Sequence, residues 1–152
     1  MAVDPRAKGA RAETLIRDSL RVQTGLDWER VPSSGALDPK HGLKGDLYVP
    51  NEKNLFAIEV KHYADDHLTS SILTSKAPQL LAWWQQAVRQ GLQVNKEPLL
   101  LFKHDRSKVF AAFIDIPSND YLYIFINDFN TCPFYVATLE DYIKHEQPKF
   151  IA

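Results

Sequence analysis

Between Asp46 and Lys61 the chain reads as two short strands joined by a tight turn. Gly45-Asp46-Leu-Tyr-Val is closed by Pro50, Asn51-Glu52-Lys53-Asn54 supplies turn residues, and Leu55–Lys61 is the strongest strand pattern in the sequence. Strand side chains alternate between faces, so Glu59 and Lys61 share one face with Leu55 and Ala57. Phe56, Ile58 and Val60 form the opposite face, which is directed at a core. A hairpin places Asp46, at the start of one strand, beside the end of its partner. Asp46, Glu59 and Lys61 then meet at one end of a sheet.

That meeting has chemical content. Two carboxylates in close proximity repel each other unless a cation sits between them. Oxygen ligands of this kind suit Mg²⁺, which keeps several waters and accepts a substrate phosphate. A lysine beside them can position a water or stabilise charge on a pentavalent phosphate. Asp-(turn)-Glu-x-Lys is a minimal kit for metal-assisted phosphodiester hydrolysis. Glu-x-Lys by itself also fits a solvated strand face.

The remaining elements frame this hairpin. Residues 8–23 form a helix in which Ala12, Leu15, Ile16, Ser19 and Leu20 recur on one face, with Arg11, Arg17, Asp18 and Arg21 on the other and Gly25 as a stop. Glu13 lies at the edge of the apolar stripe, where a carboxylate can look into a neighbouring cleft. Trp28–Val31 is a short strand, and residues 32–45 read as a long loop dense in turn formers. A helix follows at about residues 76–90, ended by Gly91. Leu99–Phe102 is a buried strand by its continuous apolar run. Val109–Ile114 and Tyr121–Ile126 are further strands, and Thr138 is the N-cap of a last short helix. The order αβββαβββα predicts an α/β fold: a mixed central sheet flanked by helices, in a single domain over residues 1–152.

The hairpin and its surroundings resemble the PD-(D/E)xK nuclease superfamily with its restriction-endonuclease-like fold. The closer similarity is to archaeal-type Holliday junction resolvases, with which phage-encoded relatives are grouped. Lys8-Gly9-Ala10-Arg11-Ala12-Glu13 resembles that family's opening helix, Pro32-Ser33-Ser34-Gly35 its serine- and glycine-bearing segment, Gly45-Asp46-Leu-Tyr-Val its aspartate strand, and Ala57-Ile58-Glu59-Val60-Lys61 its catalytic strand. Asp66-His67-Leu68 is also similar. The resemblance spans roughly residues 8–103.

The resemblance implies roles. Glu13, Asp46 and Glu59 bind Mg²⁺, for which Mn²⁺ substitutes, with the Val60 carbonyl as a further ligand. Lys61 orients the attacking water, and Ser33 or Ser34 contacts the scissile phosphate. Lys8, Arg11, Arg17, Arg30, Lys40 and Lys44 are the candidate DNA contacts. A homodimer places two sites on opposed strands of a four-way junction. Two family arginines are replaced, by Thr14 after the helix glutamate and by Pro32 before the serine segment. Those departures keep open a nuclease for flaps, single strands or duplex, and the slight net acidity keeps open a nuclease-fold protein that binds DNA or a partner without cutting.

Charge does not choose among these. The 152 residues carry a formal net charge of −1, but the distribution is uneven. Residues 1–112 hold 16 Lys and Arg against 13 Asp and Glu, whereas residues 113–152 hold 2 against 6. The single cysteine, Cys132, excludes an internal disulfide and a cysteine-built zinc site. No run is apolar and long enough to span a bilayer, and the first residues lack the apolar stretch of a secretory signal, so the cytoplasm is the expected compartment.

Other residues have both structural and functional readings. His62 should face away from Lys61 and be structural, and Asp65-Asp66-His67 reads as a polar loop ahead of a second metal site. Lys103 and His104 end a strand near the expected DNA side. Trp83 and Trp84 fit packing better than base stacking. Gln79, Gln85 and Gln86 follow the catalytic strand and are candidates for a polar contact to it. Eight of the 17 aromatic residues fall within residues 110–135, which suits either strand packing or a two-fold interface.

Overall fold

The computed structural model describes residues 5–32, 45–118 and 120–152, with the side chains of residues 5–8 outside that description. In chain order the elements are α1 (Pro5–Thr24), β1 (Glu29–Arg30), β2 (Leu47–Tyr48), β3 (Phe56–Tyr63), α2 (Ser71–Thr74), α3 (Gln79–Val94), β4 (Glu97–His104), β5 (Phe110–Phe113), β6 (Ile124–Ile126), β7 (Phe134–Thr138) and α4 (Leu139–Glu146). The strands form one mixed seven-stranded sheet in the order β1-β2-β3-β4-β5-β7-β6. Only β3 and β4 run parallel among the described strands. Parallel neighbours need a crossover, and α3 provides it.

Two apolar layers sandwich the sheet. On one face Ala12, Ile16 and Leu20 of α1 and Leu139 and Tyr142 of α4 pack over Ile58, Val60, Leu99, Leu101 and Phe113. On the other, Leu80, Trp83, Trp84 and Ala87 of α3 pack over Leu100, Phe102, Phe134 and Val136. The apolar run of β4 is buried on both sides, which is why it lacks alternation. Trp83 and Trp84 are both buried in this second layer, Trp83 against Tyr63 and Phe102. Trp84 stacks on Phe134 and its indole N–H donates to the Cys132 carbonyl at 3.0 Å.

Several local expectations are corrected. Leu15 is exposed, so the buried stripe of α1 is Ala12, Ile16 and Leu20. Gly91 does not end α3. A Cβ at that position would sit 2.6 Å from the Lys96 carbonyl oxygen, so the glycine permits a close backbone approach within the helix. The helix stops at Asn95, a left-handed residue whose N–H turns back to Gly91 and Leu92. The strand β7 and the single turn α2 were not expected. Phe134–Thr138 abuts α4 directly, with Thr138 serving both as the last strand residue and as the cap, its hydroxyl accepting from Asp141 N at 3.2 Å.

Candidate active site

Gly45 begins the site. Its φ is 91°, and a Cβ there would run into the carbonyl oxygen of Ile58. Glycine therefore lets β2 lie against β3 at this point. The Asp46 N–H donates to Ile58 O at 2.6 Å, and Val31 N donates to Asp46 O at 2.8 Å. With Leu47 paired to Ile58, Asp46 is level with Glu59 on the neighbouring strand. The turn between them is closed by Asn54, whose buried amide bonds both the N–H and the carbonyl of Val49.

Asp46 Oδ2 accepts from the backbone N–H of Val60 at 2.7 Å. Glu59 is buried beneath α3, and Lys61 Nζ lies 3.4 Å from its Oε1. Gln86 Nε2 reaches the same oxygen at 3.4 Å, and Gln90, one turn further on, also hydrogen-bonds Glu59. Glu13 enters from α1. It is near enough to Asp46 to raise the proton affinity of that carboxyl, and it is ion-paired with Arg30, whose Nε is 2.9 Å from Oε2. Glu13, Asp46, Glu59 and Lys61 are thus brought to one end of the hairpin.

The crowding shows in the acidities. Burial, then the charge of Glu59 and of Glu13, pushes the Asp46 carboxyl up to about 8, against the opposing pull of the Val60 N–H. Burial also raises Glu59, and Lys61 pulls it back down. A cluster of this kind holds protons or cations to stay neutral. Its donors are hard oxygens, which suit Mg²⁺ and Mn²⁺. Among the described residues no three His, Cys, Asp or Glu side chains are drawn together closely enough to hold a metal ion. Glu13 is turned to Arg30, and Glu59 to Lys61 and Gln86.

The other candidates fall as follows. Arg11 is exposed on α1, and Arg17 pairs with Asp18 at 3.1 Å and Glu29 at 3.8 Å. Ser33, Ser34, Lys40 and Lys44 lie outside the described residues, as does the side chain of Lys8. His62 Nε2 lies 2.9 Å from Asp105. Asp66 accepts from Leu68 N at 2.8 Å, and His67 packs edge-on to Tyr63 and Trp83. Gln85 bonds Asp128, and Gln79 is exposed. Gln90 was missed, although it lies four residues from Gln86, on the same helix face.

A central mixed sheet with an acidic hairpin and flanking helices defines a PD-(D/E)xK nuclease fold. The model of the family described as "Phage putative PDDEXK endonuclease" matches residues 4–150, and the chain belongs to that family. It is 49% identical over 115 residues to Protein D14 of Escherichia phage T5, covering 74% of this chain and 72% of that protein. A Holliday junction resolvase from Archaeoglobus fulgidus superposes with a TM-score of 0.44 and 17% identity, over 88% of this chain and 91% of the other. The chain is a nuclease of the phage PD-(D/E)xK class.

Proposed function

We propose that this nuclease is a Mg²⁺-dependent, structure-specific endodeoxyribonuclease that resolves four-way DNA junctions by paired nicks. The observation that carries the reading is Asp46, held by the Val60 N–H level with Glu59, its carboxyl driven far above the ordinary carboxylate range by burial and by the charges of Glu59 and Glu13. Such a pair is costly to a fold unless it serves to hold a cation. Junction preference rests on the order along the chain of the helix glutamate, the Ser-Gly segment, the aspartate strand and Glu59-x-Lys61, which resembles that of archaeal-type resolvases.

Asp46, Glu59 and Glu13, with the Val60 carbonyl, would hold the cation, for which Mn²⁺ could substitute. A cation held there would supply Lewis acidity and neutralise charge at the scissile phosphate. Lys61 orients a water for in-line attack, and its charge lowers the proton affinity of Glu59. Gln86 and Gln90 hold Glu59 from the α3 side. Ser33 and Ser34 contact the phosphate. Lys8, Arg11, Arg17, Arg30, Lys40 and Lys44 contact the DNA backbone, so affinity falls with salt. The single domain acts as a homodimer in the host cytoplasm. Leu122, Phe125 and Phe129, exposed on and around the edge strand β6, supply the apolar surface for pairing.

A second reading is a nuclease for flaps, single strands or duplex. It is favoured by Thr14 and Pro32 and by the pairing of Arg30 with Glu13, which engages one of the remaining DNA-contact arginines. The test is incubation with a labelled four-way junction and the matching linear duplex, in Mg²⁺ and in EDTA. Paired symmetric nicks in the junction alone, lost in EDTA, are expected. Cutting of both substrates favours the second reading, and tight junction binding without cutting overturns the first.

A further inference from the structure

The catalytic strand continues two residues past Lys61, and its last residue is aromatic. Glu59, Lys61 and Tyr63 alternate onto one face of β3, the face covered by α3. Tyr63 lies about 6.6 Å beyond Lys61 along the strand. That is about two stacked base steps of ~3.4 Å. Its side chain is built into a small aromatic frame. The ring stacks on Trp83 at 5.0 Å with 27° between planes, and His67 stands edge-on to both at 5.9 and 5.0 Å. Trp83 is buried and packs in turn on Phe102. Tyr63 itself is 45% exposed. One ring face is thus backed by the core while much of the side chain meets solvent, so little rotamer freedom is left to lose on contact.

We propose that Tyr63 is a stacking platform for an unpaired or unstacked nucleobase within one or two nucleotides of the scissile phosphate, and that it selects branched or single-stranded DNA over continuous duplex. The proposal rests on the nuclease reading of the neighbouring carboxylates. Every base offers a π-face, so an aromatic platform is sequence-tolerant. In continuous duplex those faces are covered by neighbouring pairs. At a branch point, a flap or a strand end one is uncovered. Asp65 and Asp66 follow Tyr63 on the surface, and Asp66 is held by the Leu68 N–H at 2.8 Å and lies 3.6 Å from His104 Nδ1. The exposed apolar groups Leu122 and Phe129 lie far from β3 in the chain, and Leu73 on α2, also exposed, is aliphatic and offers no ring to stack on.

The test uses the full chain and Tyr63→Ala, Tyr63→Phe and Tyr63→Trp. Each is titrated in EDTA, where no strand is cut, against a four-way junction, a single strand and a linear duplex. 2-Aminopurine is scanned over the nucleotides flanking the branch. Tyr63→Ala should lose about tenfold in affinity for junction and single strand and less than about twofold for duplex. Tyr63→Phe and Tyr63→Trp should stay close to wild type, which separates loss of the platform from loss of folding. Quenching of 2-aminopurine at one flanking position should vanish in Tyr63→Ala alone. An equal loss on all three DNAs, no loss on any, or unchanged quenching overturns the proposal. Mg²⁺-dependent cleavage by wild type without quenching sinks the platform and spares the nuclease reading. Quenching without cleavage does the reverse.

Discussion

The Asp46 carboxylate is tied to the backbone N–H of Val60 at 2.7 Å, the residue between Glu59 and Lys61. Together with the bond from the Asp46 N–H to Ile58 O, this contact fixes the register of the Asp46 segment against β3. The carboxylate is oriented by main chain, which has no rotamers to change, and its second oxygen is left for a cation or for Glu13. This arrangement ties the activity of the site to backbone geometry at Gly45 and Asp46.

Substituting the aspartate should separate stability from activity. Asp46→Asn keeps an oxygen acceptor for the Val60 N–H and removes a charge that burial and two neighbouring acids disfavour. Cleavage should fall by about 100-fold or more. In EDTA at pH 8.5 the variant should melt above wild type. A variant that cuts normally, or that melts lower, contradicts the assignment.

The pH dependence has a definite sign. Asp46 ordinarily titrates at 3.8 and is raised to about 8 in the fold. Between those values the native state binds more protons than the unfolded chain, so stability falls as pH rises. The contribution is fully present below the lower value and gone above about 8. The melting temperature of wild type minus that of Asp46→Asn, both in EDTA, should decline from pH 5 to 8.5. Mn²⁺ competes with the proton, so its stabilising effect on wild type should grow over the same range. A flat difference would contradict the account.

Gly45 should be far less replaceable than Gly25. Both have positive φ, but nothing lies within 4 Å of a Cβ at Gly25. Gly25→Ala should cost about 1–2 kcal/mol from backbone strain alone. Gly45→Ala adds a collision with β3 and should cost on the order of 2–4 kcal/mol, with cleavage lost even where the protein stays folded. Urea denaturation alongside cleavage assays checks both.

Gln86→Ala should lower cleavage about tenfold and raise the Mg²⁺ concentration needed for half-maximal rate, because Glu59 loses an orienting donor. DNA affinity in EDTA should not change. Equal effects on rate and on metal-free affinity would place Gln86 in DNA contact instead.

The edge strand β6 offers a separate check. Phe125, 53% exposed, should tolerate Phe125→Glu with little loss of monomer stability. Sedimentation should show the variant as a monomer where wild type is a dimer. Two dimers, or two monomers, would remove this edge from the interface.

Much of the site was legible because it is local. Gly45-Asp46, the turn and Glu59-x-Lys61 lie within 17 residues, and strand alternation alone sorts their faces. The apolar run of β4 and the Thr138 cap were legible for the same reason. What was hidden depends on distant chain. Gly91 reads as a stop until the Lys96 carbonyl is seen beside it. Phe134–Thr138 pairs with both β5 and β6, an order that hydrophobic pattern does not encode. Arg30 and Glu13, 17 residues apart, meet only because α1 crosses the sheet next to β1. Tyr63 lay beyond the expected end of its strand, and its stack on Trp83 requires α3 to be in place.

The most direct test of the central claim is Mn²⁺ binding, without DNA, to wild type, Asp46→Asn and Glu59→Gln, followed by calorimetry at pH 8. Wild type should bind, and each variant should bind at least about tenfold more weakly. Equal binding by all three would show that the cation is not held by these carboxylates.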